Sequence, residues 1–209
     1  MNMLGVAILC LSALSVLAVT PPPYVQQQSL SELVTALKSD DEKMRSDAAA
    51  GITWHLSQLK LQRKTPERAV LENCLTNASE KLISDPASVV RLGCINILSQ
   101  LSAWTNTVPM LVRGFADKDC LVRTRAISVT AEMYQTRNQD VPVTAADALR
   151  SCLDPSGNPE MLWQAVQAAG ELKVAGQTLV PEILRLLKHE NEKVRDYATD
   201  ALKAIRERA

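Results

Sequence analysis

The sequence predicts an all-α chain, an α-solenoid of about five stacked helical hairpins. Three observations carry this. First, one helix is written five times. Met44-Arg45, Val90-Arg91, Val122-Arg123 and Val194-Arg195 each open an apolar-periodic run, and Leu162-Trp163 opens a degenerate one. Self-similarity at short spacing marks a repeat architecture, in which each unit buries its apolar face against the next. Second, aromatics are only 3% of the 209 residues and glycines number 7, too few for a sandwich or barrel built on aromatic strands and glycine turns. Third, Leu and Ala are the two commonest residues, as helices prefer.

The chain opens on a segment unlike the rest. No Lys, Arg, Asp or Glu precedes Glu32, and Met3 to Val19 is an apolar run stopped by Thr20 and prolines 21–23. That length is at the short limit for spanning a bilayer. It fits the apolar part of an export signal, with Val16-Leu17-Ala18 near a cleavage site. Only the amino terminus supplies positive charge ahead of the run, so an uncleaved anchor and a helix packed on the solenoid stay open as alternatives. Residues 1–20 therefore read as a signal peptide or N-terminal membrane anchor, 21–29 as a Pro/Gln-rich linker, and 30–209 as the repeat domain. The expected location is exported (periplasmic or secreted) or anchored by this segment.

Within the repeat domain, the arginine serves as origin for each unit, at 45, 91, 123, 163 (Trp in place of Arg) and 195. The two spacings of 32 define a minimal unit; the spacings of 46 and 40 imply insertions near 57–66 and 136–143. The second helix of each unit, helix B, carries apolar residues at offsets −1, +3, +6, +7 and +10. Unit five shows this most clearly, with Val194, Ala198, Ala201, Leu202 and Ile205. These offsets share one face of a helix. Offset +3 is small throughout (Ala48, Cys94, Ala126, Val166, Ala198), which lets neighbouring helices approach.

Helix B is preceded by a cap signal. Asp85-Pro86 and Asn158-Pro159 read as an N-cap followed by Pro at the first helical position; Asp40 or Asp41, Asp119 and Asn191 serve elsewhere. A shorter helix A lies upstream, with Leu37, Ile83, Phe115 and Leu187 eight residues before the origin. Pro109 and Pro181 open helix A in units three and five.

The pattern V-R-x-x-A-x-x-A-L after an Asp- or Asn-containing turn, with a Pro-led helix before it, resembles HEAT repeats over roughly residues 29–207. The two 32-residue units resemble the short variety associated with phycobilisome lyases. The resemblance implies a curved right-handed stack with the B helices lining the concave face. It implies no single activity, because most members are protein-binding scaffolds and few are enzymes.

Candidate chemistry is sparse. Arg45, Arg91, Arg123 and Arg195 form a ladder whose expected role is structural, bonding to Asp or backbone acceptors of an adjacent turn; Asp40, Asp85 and Asp117 are the expected acidic partners. Trp163 breaks the ladder beside the irregular turn 154–159. Trp163 and Asn158 are therefore the candidate partner-binding residues, against the simpler reading of Trp163 as packing on its neighbour. Only His55 and His189 could offer imidazole, and no ligand set for a metal is spelled out. No catalytic, cofactor-binding or metal residues are assigned, and the chain is not expected to be an enzyme.

Cys74, Cys94, Cys120 and Cys152 show no paired spacing and read as free, mostly buried thiols, although two disulfides stay possible in an oxidising compartment. Lys+Arg and Asp+Glu both total 23, so no basic excess favours nucleic acid. The expectation is a non-enzymatic, monomeric adaptor that docks a protein of unknown identity on its B-helix face and meets a membrane only through the N-terminal segment. The alternatives are a lyase or lyase subunit of the phycobilin-lyase type, or a cytoplasmic regulatory scaffold if the N-terminal run is structural.

Overall fold

The computed structural model describes residues 21–207. Among the described residues there are eleven α-helices and no strand. They are α1 (Pro23–Gln26), α2 (Leu30–Ala36), α3 (Glu42–Leu61), α4 (Arg68–Ser84), α5 (Ser88–Leu101), α6 (Val108–Arg113), α7 (Cys120–Thr136), α8 (Val143–Arg150), α9 (Pro159–Glu171), α10 (Val180–Leu186) and α11 (Glu192–Arg206). Short 3-10 segments, Gly114–Ala116 and Lys173–Leu179, follow α6 and precede α10.

Five hairpins result: α2/α3, α4/α5, α6/α7, α8/α9 and α10/α11. The B helices pack in chain order, α3 on α5, α5 on α7, α7 on α9 and α9 on α11. The A helices form a second layer, α2 against α4 and α4 against α6, with α8 against both 3-10 segments. This is the stack of two-helix units that the repeat predicts. No described helix is long and apolar enough to cross a membrane. The N-terminal run, read as signal or anchor, lies outside the described residues.

Four B helices start where an Asp or Asn side chain takes up an orphan amide. Asp41 accepts from Met44 N at 2.7 Å, Asp119 from Leu121 N at 2.8 Å, Asn158 from Glu160 N at 2.8 Å and Asn191 from Val194 N at 3.3 Å. Asp85 is the exception to the predicted caps. It closes α4, and α5 begins three residues later after Ala87. Its carboxylate is engaged by Arg45 and by the Ala87 amide, so it is not free to cap a helix. Pro109 and Pro181 sit in the first turns of α6 and α10, where the missing N–H has no helical partner to lose.

Three B helices end through a left-handed residue that is not glycine: Arg63 (φ 55°), Asn138 (φ 53°) and Lys173 (φ 52°). The amides of Lys64 and Gln139 then reach back to the carbonyls of Leu59 and Tyr134, both at 2.9 Å, which closes the last turn.

The predicted core holds. Ala48, Cys94, Ala126, Val166 and Ala198 are buried, as are Ile97, Val129, Ala169 and Ala201 one turn on. Small residues set how close the B helices come. A Cβ added at Gly170 would stand 2.9 Å from Ala201 Cα. One helix A position departs from expectation: Ile83 is exposed and Leu82 is buried in its place. Helix α4 is longer than the other A helices and runs on to Ser84, so its buried face arrives one residue earlier.

The stretch expected as a linker is packed in part. Pro23–Gln26 forms one helical turn against α3, and Val25 is buried in the space left by Gly51. The Tyr24 hydroxyl donates to Asp47. A single apolar residue among glutamines gives no periodicity to read, which is why sequence alone leaves it as linker.

Candidate functional site: the arginine turns and the B-helix layer

The arginine ladder is built the same way twice. Arg45 donates from Nη1 to the carbonyls of Ser39 (3.0 Å) and Asp40 (2.8 Å) in its own turn. Its Nε and Nη2 meet the Asp85 carboxylate of the next hairpin at 2.7 and 3.1 Å. Arg91 repeats this, with Nη1 on the carbonyls of Asp85 (2.9 Å) and Pro86 (3.0 Å) and a fork onto Asp117 at 2.7 and 2.9 Å. Each arginine thus ties its own turn to the following unit by a planar two-point match. Both pairs are buried. Burial alone would raise the Asp85 carboxyl. The Arg45 hydrogen bond, the Ala87 amide and the charges of Arg45 and Lys81 overcome it and hold the group below the ordinary carboxylate value.

Asp40 enters the ladder only through its carbonyl, and its side chain is exposed. The reason is positional: the carboxylate slot belongs to the unit after each arginine, and Asp40 lies in the first turn. Arg123 lacks the second half of the pattern. Its Nη1 donates to Asp117 O at 2.5 Å, but Nη2 meets Cys120 Sγ (2.7 Å), Ser151 Oγ (3.0 Å) and Cys152 Sγ (3.1 Å). Gly157 occupies the slot where an acid would stand. Among the described residues Arg195, in hairpin five, holds the carbonyls of its own turn, His189 and Glu190, both at 2.8 Å.

Trp163 packs forward onto hairpin five. Its ring centroid is 4.9 Å from that of Tyr197, Lys193 Nζ stands 3.7 Å over its ring, and its Nε1 donates to Glu160 at 3.0 Å. Such contacts substitute for the missing salt bridge with stacking and cation–π attraction. Asn158 spends its side chain as the cap of α9. Arg45, Arg91, Asp85, Asp117 and Trp163 thus join neighbouring hairpins, while Asp40, Asn158 and Arg195 act within their own turns. An ion pair that no repeat offset predicts, Arg150 with Glu182, joins α8 to α10 between hairpins four and five.

Sequence reasoning missed a polar stripe on the B layer. On α7 it runs Arg125, Ser128, Glu132, Gln135, at helical spacings i, i+3, i+7 and i+10; on α9 it runs Gln164, Gln167, Glu171. The stripes are joined to each other and to α5. Arg125 Nε donates to Asn96 Oδ1 at 3.1 Å, Gln135 Nε2 to the Glu171 carbonyl at 2.6 Å, and Gln167 Nε2 to the Glu171 carboxylate at 3.1 Å. Burial pushes the Glu171 carboxyl upward, and Glu132 adds to this; Ser128, Gln167 and the Arg125 charge oppose it without reversing it. Burial also lowers Arg125, against the pull of Glu132 and Glu171. The stripe runs to a cleft of about 150 Å³ lined by Gln135, Asn138, Asp140 and Lys173. A second cleft of about 420 Å³ lies over the Arg91–Asp117 pair, with Ile83, Arg113 and Lys118 on its walls. Among the described residues no group of three His, Cys, Asp or Glu is placed to hold a metal ion.

Comparison with known proteins agrees with this architecture. The HEAT repeat model matches residues 179–205, which cover hairpin five. No curated protein matches the chain. Among solved structures, the chain is similar to the complex of CpcE and CpcF of phycocyanin lyase from Nostoc sp. PCC7120. The TM-score is 0.55 at 22% identity, over 87% of this chain and 66% of that chain. The chain thus spans just under two thirds of that longer relative, and the likeness is one of fold: stacked HEAT-type helices.

Proposed function

We propose that this HEAT-type stack works by docking a second polypeptide against the polar stripe of its B-helix layer. The observation that carries the reading is the linked set Asn96, Arg125, Gln167 and Glu171, spread over three successive B helices, in which the Gln167 side-chain oxygen is buried without a hydrogen-bond partner. A partner bringing a hydrogen-bond acceptor to Arg125 and a donor to Glu171 would complete both groups as water leaves. The similar structure is itself a two-protein complex, which favours a protein partner.

The test is affinity capture with the full chain, followed by cross-link mapping. The expected result is one partner whose cross-links fall on α5, α7 and α9. Its affinity drops more than about tenfold in Arg125→Ala and Gln167→Ala, as for central contacts of an interface. Glu80→Ala, on the exposed side of α4, leaves it unchanged. Cross-links confined to the A helices, or equal losses in all three variants, would reject the docking face.

A second reading has its own support. The similar structure belongs to a phycocyanin lyase, so the docked polypeptide could be the other subunit of an enzyme that acts on a pigment-bearing protein. Co-expression with a bilin, an unmodified phycocyanin subunit and the captured partner distinguishes the two. Covalently coloured phycocyanin that depends on this chain supports the lyase-subunit reading, and colourless product leaves the adaptor.

A further inference from the structure

Hairpins three and four meet at a junction that the ladder does not close. Arg123, the third arginine of the series, reaches across as Arg45 and Arg91 do, but finds no carboxylate. Two thiols take its place. Cys120 opens α7 in hairpin three and is partly accessible; Cys152 follows the end of α8 in hairpin four and is buried. Both sulfurs lie against the same nitrogen, Arg123 Nη2, at 2.7 and 3.1 Å, so their separation cannot exceed the sum of those distances. The Cys152 sulfur also stands 3.8 Å from the Cys120 carbonyl, which brings it to the backbone of its counterpart. A disulfide bond of about 2.05 Å requires the two sulfurs to turn from Nη2 towards each other.

We propose that Cys120 and Cys152 are an oxidisable pair, and that their disulfide is a covalent rung between hairpins three and four at the place where the salt-bridge ladder is interrupted. The oxidant class is a small-molecule disulfide. The Cys120 sulfur, as thiolate, attacks one sulfur of that disulfide and expels the other half as a thiolate, which takes up the proton Cys120 lost. Cys152, giving its proton to solvent, then attacks Cys120 Sγ and expels the second half, which is protonated in turn. One protein dithiol and one small disulfide become one protein disulfide and two small thiols, so two electrons pass from the cysteines to the oxidant.

The order of attack follows from the surroundings. Cys120 is the more accessible sulfur. Burial, then the neighbouring Cys120 sulfur, pushes the Cys152 thiol up to about 11, while the Arg123 charge acts the other way. Cys74 and Cys94 have no such setting. Both are buried, and burial raises them to about 11 and about 12.

The experiment is equilibration of the full chain with excess oxidised glutathione, an alkylating quench and tryptic mapping. Cleavage after Lys118, Arg123, Arg150 and Lys173 puts the two cysteines on separate peptides. The expected product is peptide 119–123 joined to peptide 151–173. It is lost in Cys120→Ser and in Cys152→Ser and retained in the double variant Cys74→Ser/Cys94→Ser. Arg123→Gln slows its formation about tenfold at neutral pH and moves the rate profile to higher pH, a change that a packing role for Arg123 would not produce. Recovery of both cysteines as alkylated thiols, or of glutathione left on Cys120 with Cys152 free, overturns the proposal.

Discussion

Asp85→Ala tests the ladder directly. The substitution removes a fully buried carboxylate that receives two hydrogen bonds from Arg45 and one from the Ala87 amide. It leaves Arg45, whose side chain is only 7% exposed, without its counter-charge. Breaking one side of a buried ion pair costs about 3–5 kcal/mol, because the remaining charge is neither hydrated nor paired. For a chain of this size each kcal/mol moves the melting temperature by roughly 2–4 °C, so the expected fall is roughly 6–20 °C. The assay is thermal and urea unfolding, with amide exchange to locate the loss, which should be largest in α2 and α3. The control is Arg45→Met/Asp85→Leu, which removes both charges and should lie within about 1 kcal/mol of the parent. The pH dependence has a defined sign. The folded-state carboxyl titrates below its unfolded value of about 3.9, so its contribution is complete above that value and is lost as pH falls through the lower one. The Asp85→Ala protein should therefore lose less stability than the parent on acidification below pH 4. A cost under about 1 kcal/mol, or identical acid limbs, would refute the ladder as the tie between hairpins one and two.

Two further outcomes follow from the packing and the polar stripe. Gly170→Ala should destabilise by about 1–3 kcal/mol despite the better helix propensity of alanine, because the new methyl meets backbone on α11; a raised melting temperature would show that the two helices can separate at little cost. Glu171 is raised by burial, so its contribution is present below the ordinary carboxylate value and is lost as pH rises through the folded one; Glu171→Gln should flatten the decline in urea midpoint as pH rises above about 4, and an unchanged slope would exclude this carboxyl as its source.

Whatever repeats in this chain is legible in its sequence. Arg45, Arg91, Asp85 and Asp117 are picked out by the residue order because the same offsets recur, and the small residues at +3 fall in the core for the same reason. Asp40 escapes this logic because recurrence identifies a slot but not the unit that fills it: the acid belongs to the hairpin after each arginine. Ile83 falls one residue out of register because α4 is longer than the A helices with which it aligns. Arg125 and Glu171 stay hidden for a different reason. Polar residues on a helix read as a solvated face, and only the packing of α5, α7 and α9 brings their stripes together. Cys120 and Cys152 lie 32 residues apart, with no spacing signature, and meet only because the hairpins stack.

The ladder also gives synthesis a direction. Each arginine binds its own turn through two carbonyls, but its counter-charge lies downstream, 40 residues on for Arg45–Asp85 and 26 for Arg91–Asp117. On a ribosome adding about 5–20 residues per second, hairpin one would wait roughly 2–8 s after Arg45 is made before Asp85 is added. Until then its guanidinium must stay hydrated, and the stack cannot close over it. Every hairpin that carries a complete rung is thus finished only by its successor, and translation from the N-terminus sets the order in which the seams seal.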